Sequence, residues 1–245
     1  MRNFLCAIAF PVAALVVSPV HAVTVAWVDW QSSTPNSATG VITVGSETIN
    51  VSFSNSVNNF FVQTGGGTDY WTPRTDSSPY TSTGPVGNVN PPTGTDIIAL
   101  AAGGTRTLTF SRMIQGLYFS YVSLNANAGT FSTPMVKLSE TGKNIDGAGV
   151  DSAGFWGSGT LTLDPSGMSF TSSGEAHGTL YAAAALDSFV FTTGTENWHG
   201  FTVGIAGLPT APPPPPPPSA IPLPAGGLLL IGALGGLAAL RRRRK

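Results

Sequence analysis

Cysteine is nearly missing from this chain: one residue, Cys6, in 245. Cys6 falls in an apolar N-terminal stretch read below as a cleaved leader. The mature chain then has no thiol for nucleophilic chemistry and no disulfide, so an exported domain must be held by its core alone. Charge is scarce too, at 9% of residues. All twelve acids lie between Asp29 and Glu196, and only Arg74, Arg106, Arg112, Lys137 and Lys143 share that span, a net of −7. That excludes a basic face for nucleic acid and leaves divalent cations open as ligands. No serine sits in a G-x-S-x-G setting, so the strand–elbow–helix hydrolase has no support. No fixed-period repeat is present. Helical periodicity is lacking as well; residues 181–186 are the only helix-friendly patch, and it is short.

Ser, Thr, Asn and Gly take the place of Lys and Glu, a composition that favours strands and turns. Residues 48–53 alternate strictly, with Ile49, Val51 and Phe53 on one face. Residues 107–110 repeat the rhythm. LYFSYVSL, residues 117–124, is apolar on both faces and reads as a central strand. Asp164-Pro165-Ser166-Gly167 is a turn between two strands: proline sets φ and glycine takes φ > 0. Phe189 and Phe191 share a face, as do Phe201, Val203 and Ile205. The expected fold is all-β, a single jelly-roll-like β-sandwich over residues 23–208. Between Gln63 and Asp96 the pattern breaks into loop chemistry, and connections of that length are usually functional or disordered.

The two ends read as export signals. Arg2 is followed by an apolar core over residues 4–17, and Val20-His21-Ala22 suits a signal peptidase, predicting cleavage after Ala22. At the other end, residues 212–218 are all proline, a stiff polyproline II spacer within a linker over residues 209–220. From Ala225 to Leu240 no side chain is charged or polar, and Arg241, Arg242, Arg243, Arg244 and Lys245 follow. An apolar run of spanning length capped by arginines predicts a single transmembrane helix with a cytoplasmic C-terminus.

Ile221-Pro222-Leu223-Pro224-Ala225, the Gly/Leu/Ala-rich run and the arginine cluster together resemble the VPLPA-CTERM variant of the PEP-CTERM sorting signal. Ile221 stands where that motif has Val. The resemblance covers residues 221–245 only. It implies export in a Gram-negative bacterium, recognition and removal of the tail by an exosortase-type membrane protease, and delivery from the inner membrane to the cell surface or extracellular matrix. Such proteins often accompany exopolysaccharide production. A plain single-span anchor is the other reading of the tail.

Chemistry in the domain is sparse. Tyr70, Trp71 and Tyr80, in the long polar loop, and Trp156, in GFWGSG, are candidate sugar-stacking rings, because ring faces stack on C–H groups while polar neighbours bond the hydroxyls. The competing reading has them plugging the ends of the sandwich. Trp27, Trp30 and Trp198 read as core. Asp146 and Asp151 offer oxygen ligands around a glycine turn, a possible Ca²⁺ site without EF-hand spacing; a plain Asx turn is the alternative. No other cofactor is implied. Glu175/His177 and Glu196/His199 are two carboxylate–imidazole pairs that would need to converge to bind a metal or shuttle protons. Twelve acids make some carboxylate pair inevitable, so pairing alone discriminates nothing; Asp29 and Asp96 border apolar segments and are candidates for partial burial, with turn or edge hydrogen bonding as the plain role. The expectation is an exported, non-catalytic module binding extracellular polysaccharide, with a secreted glycan hydrolase and a structural surface-layer component as rivals.

Overall fold

The computed structural model describes residues 23–72, 78–82, 86–92, 94–141 and 159–208. The chain divides into two units, Met1–Pro209 and Thr210–Lys245, and all of the second lies outside the described residues. So do the predicted cleavage site at Ala22 and the sorting residues Ile221 to Ala225 and Arg241 to Arg244. Among the described residues there is no helix, and hence none long and apolar enough to cross a membrane.

The described residues of the first unit form twelve strands: β1 (Ala26–Trp27), β2 (Asp29–Thr34), β3 (Ser37–Val44), β4 (Glu47–Asn55), β5 (Phe61–Gln63), β6 (Ile97–Leu100), β7 (Gly104–Asn125), β8 (Ala128–Phe131), β9 (Val136–Thr141), β10 (Gly159–Leu163), β11 (Ser169–Thr193) and β12 (His199–Gly207). The all-β expectation holds. The strands form one nearly closed, barrel-like sheet, ordered β2-β3-β4-β7-β12-β6-β5, with β11 on the other side of β7.

Two long strands make the curvature. β7, of 22 residues, pairs with β4 through its first half and with β12 through its second. β11, of 25 residues, runs antiparallel to β7 with register shifts after Ala176, Ala182 and Leu186. Bulges of this kind bend a strand and raise its local twist. β8 then pairs with both ends of β11, Ser169–Thr171 and Phe191–Thr193, so the sheet folds back on itself. The alanine-rich patch at 181–186 lies inside β11: its helix preference is overridden by pairing with β7.

Local chemistry accounts for the turns. β3 and β4 join through Gly45-Ser46, and Gly45 adopts φ 60° as a two-residue hairpin requires. In the β10–β11 turn, the Asp164 carboxylate accepts the Ser169 and Ser166 N–H groups at 2.8 and 3.3 Å, and Gly167 takes φ 72°. The Ser166 hydroxyl, which also donates to this carboxylate, and then these N–H bonds hold the Asp164 carboxyl down at about 2.

Alternation fills the barrel. Ile49, Val51 and Phe53 of β4, Leu108 and Phe110 of β7, and Phe189 and Phe191 of β11 point inward, with Phe119 and Phe201 between them. The opposite face of β7 is also covered. Val122 packs with Ile97, Trp71 and Tyr80, while Tyr118 packs with Val25 and Trp27. The long connection after β5 therefore lies, in its described part, as a packed layer over the outer face of the sheet. Its tethers are side-chain amides. Asn90 accepts from Val25 N (2.8 Å) and donates to Val25 O (2.9 Å), imitating a strand partner, and Asn88 Nδ2 donates to Tyr80 O. Tyr118 Oη donates to Val86 O at 2.9 Å.

A candidate aromatic edge

β5 is the end strand of the sheet path. Phe60 and Phe61 precede and begin it, and the period of two puts successive side chains on opposite faces. Phe61 joins the outer-layer cluster, and Phe60 is left 57% exposed. Tyr70 and Trp198, both half-buried, complete the group. Ring centroids lie 5.7 Å apart for Phe60–Phe61, 5.9 Å for Phe61–Tyr70, 5.9 Å for Phe61–Trp198 and 5.5 Å for Tyr70–Trp198. Tilted and edge-to-face contacts at such distances hold rings in place.

Hydrogen-bonding groups stand beside these rings. Gln63 Nε2 donates to Thr95 O (2.6 Å) and Thr68 O (2.9 Å), and its Oε1 accepts from Thr68 N, fixing the Gly65–Gly67 loop. The exposed Asp69 caps the next turn by accepting from Trp71 N (2.9 Å) and Thr72 N (3.0 Å).

Two of the sequence candidates need correction. Trp71 and Tyr80 are fully buried, with centroids 5.1 Å apart, and Trp71 Nε1 donates to Asp96 O at 2.9 Å. Neither presents a ring face to a ligand, because both fill the space between the long connection and the sheet. Tyr70 stays at the surface. Trp198, expected in the core, is half-buried at the edge, whereas Trp27 and Trp30 are core. Trp156, Asp146 and Asp151 lie outside the described residues. The signal that could have revealed Phe60 was the adjacent Phe60-Phe61 pair, since an edge strand cannot bury both faces.

The Asp29 and Asp96 carboxyls come together. Asp96 is buried, and its Oδ2 accepts from Trp30 N at 2.8 Å. Burial raises its pKa, and the hydrogen-bonded carboxyl of Asp29 raises it further; N–H bonds from Trp30 and Gly65 pull the other way. A carboxyl with a raised folded pKa contributes stability that is complete below its ordinary value of 3.8 and is lost as pH rises through the raised value. Glu175, raised by burial and then by Glu196, has the same sign. The unfolding temperature should therefore fall as pH rises from about 4 towards neutrality, and Asp96→Asn should flatten that slope. Thermal unfolding across this pH range checks it; an unchanged slope in the variant would refute the assignment to Asp96.

The Glu/His pairs meet only in part. His199 Nδ1 lies 2.8 Å from Glu196 Oε1, with both side chains almost wholly buried. Glu196 also accepts from Asn125 N at 2.7 Å and from Asn127 Nδ2, locking the turn before β12 to the end of β7. His177 Nδ1 accepts from Ser123 N at 3.1 Å, taking up the donor at the register shift where β7 carries the extra residue, with Ser123 at φ 56°. Among the described residues no three His, Cys, Asp or Glu side chains form a group suited to a metal ion. No protein-family model, no curated protein and no solved structure matches this chain.

Proposed function

We propose that the chain is an exported cell-surface or extracellular-matrix protein whose domain, a jelly-roll-like β-sandwich in its finer architecture, is a non-catalytic module binding extracellular polysaccharide. The carrying observation is the aromatic edge: Phe60, Phe61, Tyr70 and Trp198 pack together at the end strand with Phe60 largely in solvent, beside the polar Gln63 and Asp69. Rings held rigidly by one another lose little entropy on stacking against a sugar, and the neighbouring exposed Asp69 carboxylate suits its hydroxyls.

Trp198→Ala and Tyr70→Ala should each weaken binding to a soluble exopolysaccharide by about tenfold, the equivalent of about 1.4 kcal/mol. The unfolding temperature should change little. Titration calorimetry with the purified protein measures the first and thermal unfolding the second. Trp71→Ala should do the reverse at the level of stability, because it empties a buried site. Intact binding in both edge variants would remove the edge from the function.

Export rests on the leader and on the IPLPA–apolar–arginine tail, which supports processing by signal peptidase and an exosortase-type protease. Replacing Arg241 to Lys245 with neutral residues should leave the tail uncut and the protein off the surface. Immunoblotting of cell fractions reads this out, and normal maturation would count against a sorting role.

A further inference from the structure

A second feature lies away from the aromatic edge, on the outer face of β2, β3, β4 and β7. The inner face of these strands is taken by Ala38, Ile42, Ile49, Val51, Phe53, Leu108 and Phe110, so the alternate residues point outward. The register aligns them in rows. Thr39, Ser52 and Thr109 stand side by side across three strands, and Ser32 Oγ extends that row to β2 through a 2.7 Å bond with Thr39 Oγ1. The next row holds Val41 and Asn50. Beside it the ladder ends. Val51–Phe110 is the last β4–β7 pair, and the following N–H, that of Asn50, is taken by Ser111 Oγ at 3.0 Å instead of a backbone carbonyl. The strands part there, opening a groove of about 390 Å³ lined by the polar Gln31, Thr39, Asn50, Ser52, Thr109 and Ser111 and by the apolar Gly40, Val41, Val51 and Phe110.

We propose that this groove is a binding site for a neutral polysaccharide chain, distinct from the aromatic edge. Its volume falls within the range of about 300–1,000 Å³ typical of small-molecule sites. None of its lining side chains is charged. Hydroxyls and carboxamides both donate and accept, which matches a ligand dense in hydroxyls. The flanking charges are Asp29, opposite Val41 and 3.5 Å from Gln31 Nε2, and the Glu47–Arg112 pair at 2.9 Å. Arg112 is thus neutralised and Asp29 would repel an anionic chain, so uronates, nucleic acids and acidic peptides are disfavoured. A protein partner would call for buried aromatic or aliphatic anchors at the centre, and the groove presents a serine and a threonine there.

The test is titration of the purified full chain with neutral hexasaccharides (cello-, malto- and mannohexaose) and with hexagalacturonate. At least one neutral hexamer should bind, and hexagalacturonate should bind at least tenfold more weakly. Ser52→Arg, which places a long charged side chain across the central row, should abolish that binding. Asn50→Ala, a milder change on an exposed position, should weaken it at least fivefold, with thermal unfolding confirming that each variant is folded. Trp198→Ala should leave it intact. No binding of any neutral hexamer, equal binding of hexagalacturonate, or undiminished binding in Asn50→Ala and folded Ser52→Arg would overturn the proposal. Loss in Trp198→Ala alone would also overturn it, while leaving the aromatic-edge reading standing.

Discussion

Phe201→Ala should lower the stability of the domain by about 3–5 kcal/mol, the usual effect of truncating a buried phenylalanine. For a domain of this size that corresponds to a drop in Tm of roughly 10 °C. The ring is fully buried on β12, where three walls of the barrel meet. It stacks on Phe119 of β7, with centroids 5.3 Å apart and planes within 5°, and touches Phe53 of β4 at 5.4 Å and Phe191 of β11 at 5.1 Å. It also borders an internal cavity of about 10 Å³. Neighbours drawn from three different strands of a continuous sheet cannot all close inward, so the new void should persist. Thermal or denaturant unfolding of the purified protein reads the change; a loss under about 1 kcal/mol would mean the barrel collapses easily. With a single cysteine the chain has no internal disulfide to limit the unfolded state, so that loss falls on the core.

The second large effect is at Arg106. This side chain is fully buried on the inner face of β7, in line with Leu108 and Phe110. No carboxylate pairs with it among the described residues. Its guanidinium donates to the carbonyl oxygens of Ala102 and Gly104, and to Thr193 O at 3.4 Å. Burial brings its pKa down to about 10, so it remains charged at neutral pH. The planar fork is what lets one side chain cap three carbonyls from two chain segments. Arg106→Ala removes these donors and leaves a cavity, and should cost about 3–5 kcal/mol. Arg106→Met keeps the volume and avoids burying a charge. It should therefore recover part of the loss, and the difference between the two variants separates packing from capping. Equal loss in both would assign the whole effect to the carbonyls. A negligible loss in Arg106→Ala would show that water replaces the guanidinium at no cost.

Strands that alternate were readable directly. Ile49, Val51 and Phe53 face inward as their spacing implies, and the Asp164–Gly167 turn forms with the carboxylate bonds its residue types favour. The two-faced apolar run at 117–124 is central: one face meets the barrel interior, and the other meets Trp71, Tyr80, Trp27 and the layer that carries them. Those readings succeed because side-chain direction along a strand is a local property.

Four features were not legible. The rings of Tyr70, Trp71, Tyr80 and Trp198 have the same chemistry, and only the path of the long connection decides which are covered. Arg106 reads as an ordinary surface base until residues 102–104 and 193 close around it. The alanines of 181–186 favour a helix until β7 supplies hydrogen-bonding partners on β11. The hydroxyl groove exists because two strands part after Phe110, and no residue near that point announces it.

The proposed export signals at the two ends belong to the other category: partition into lipid and retention of arginine on one side would depend on composition and order along the chain, so the residues alone carry that proposal. Which groups face one another across the barrel depends on contacts between residues such as Arg106 and Thr193, 87 positions apart. Such contacts are chosen by the collective packing of the whole sheet, and only the folded chain reveals them.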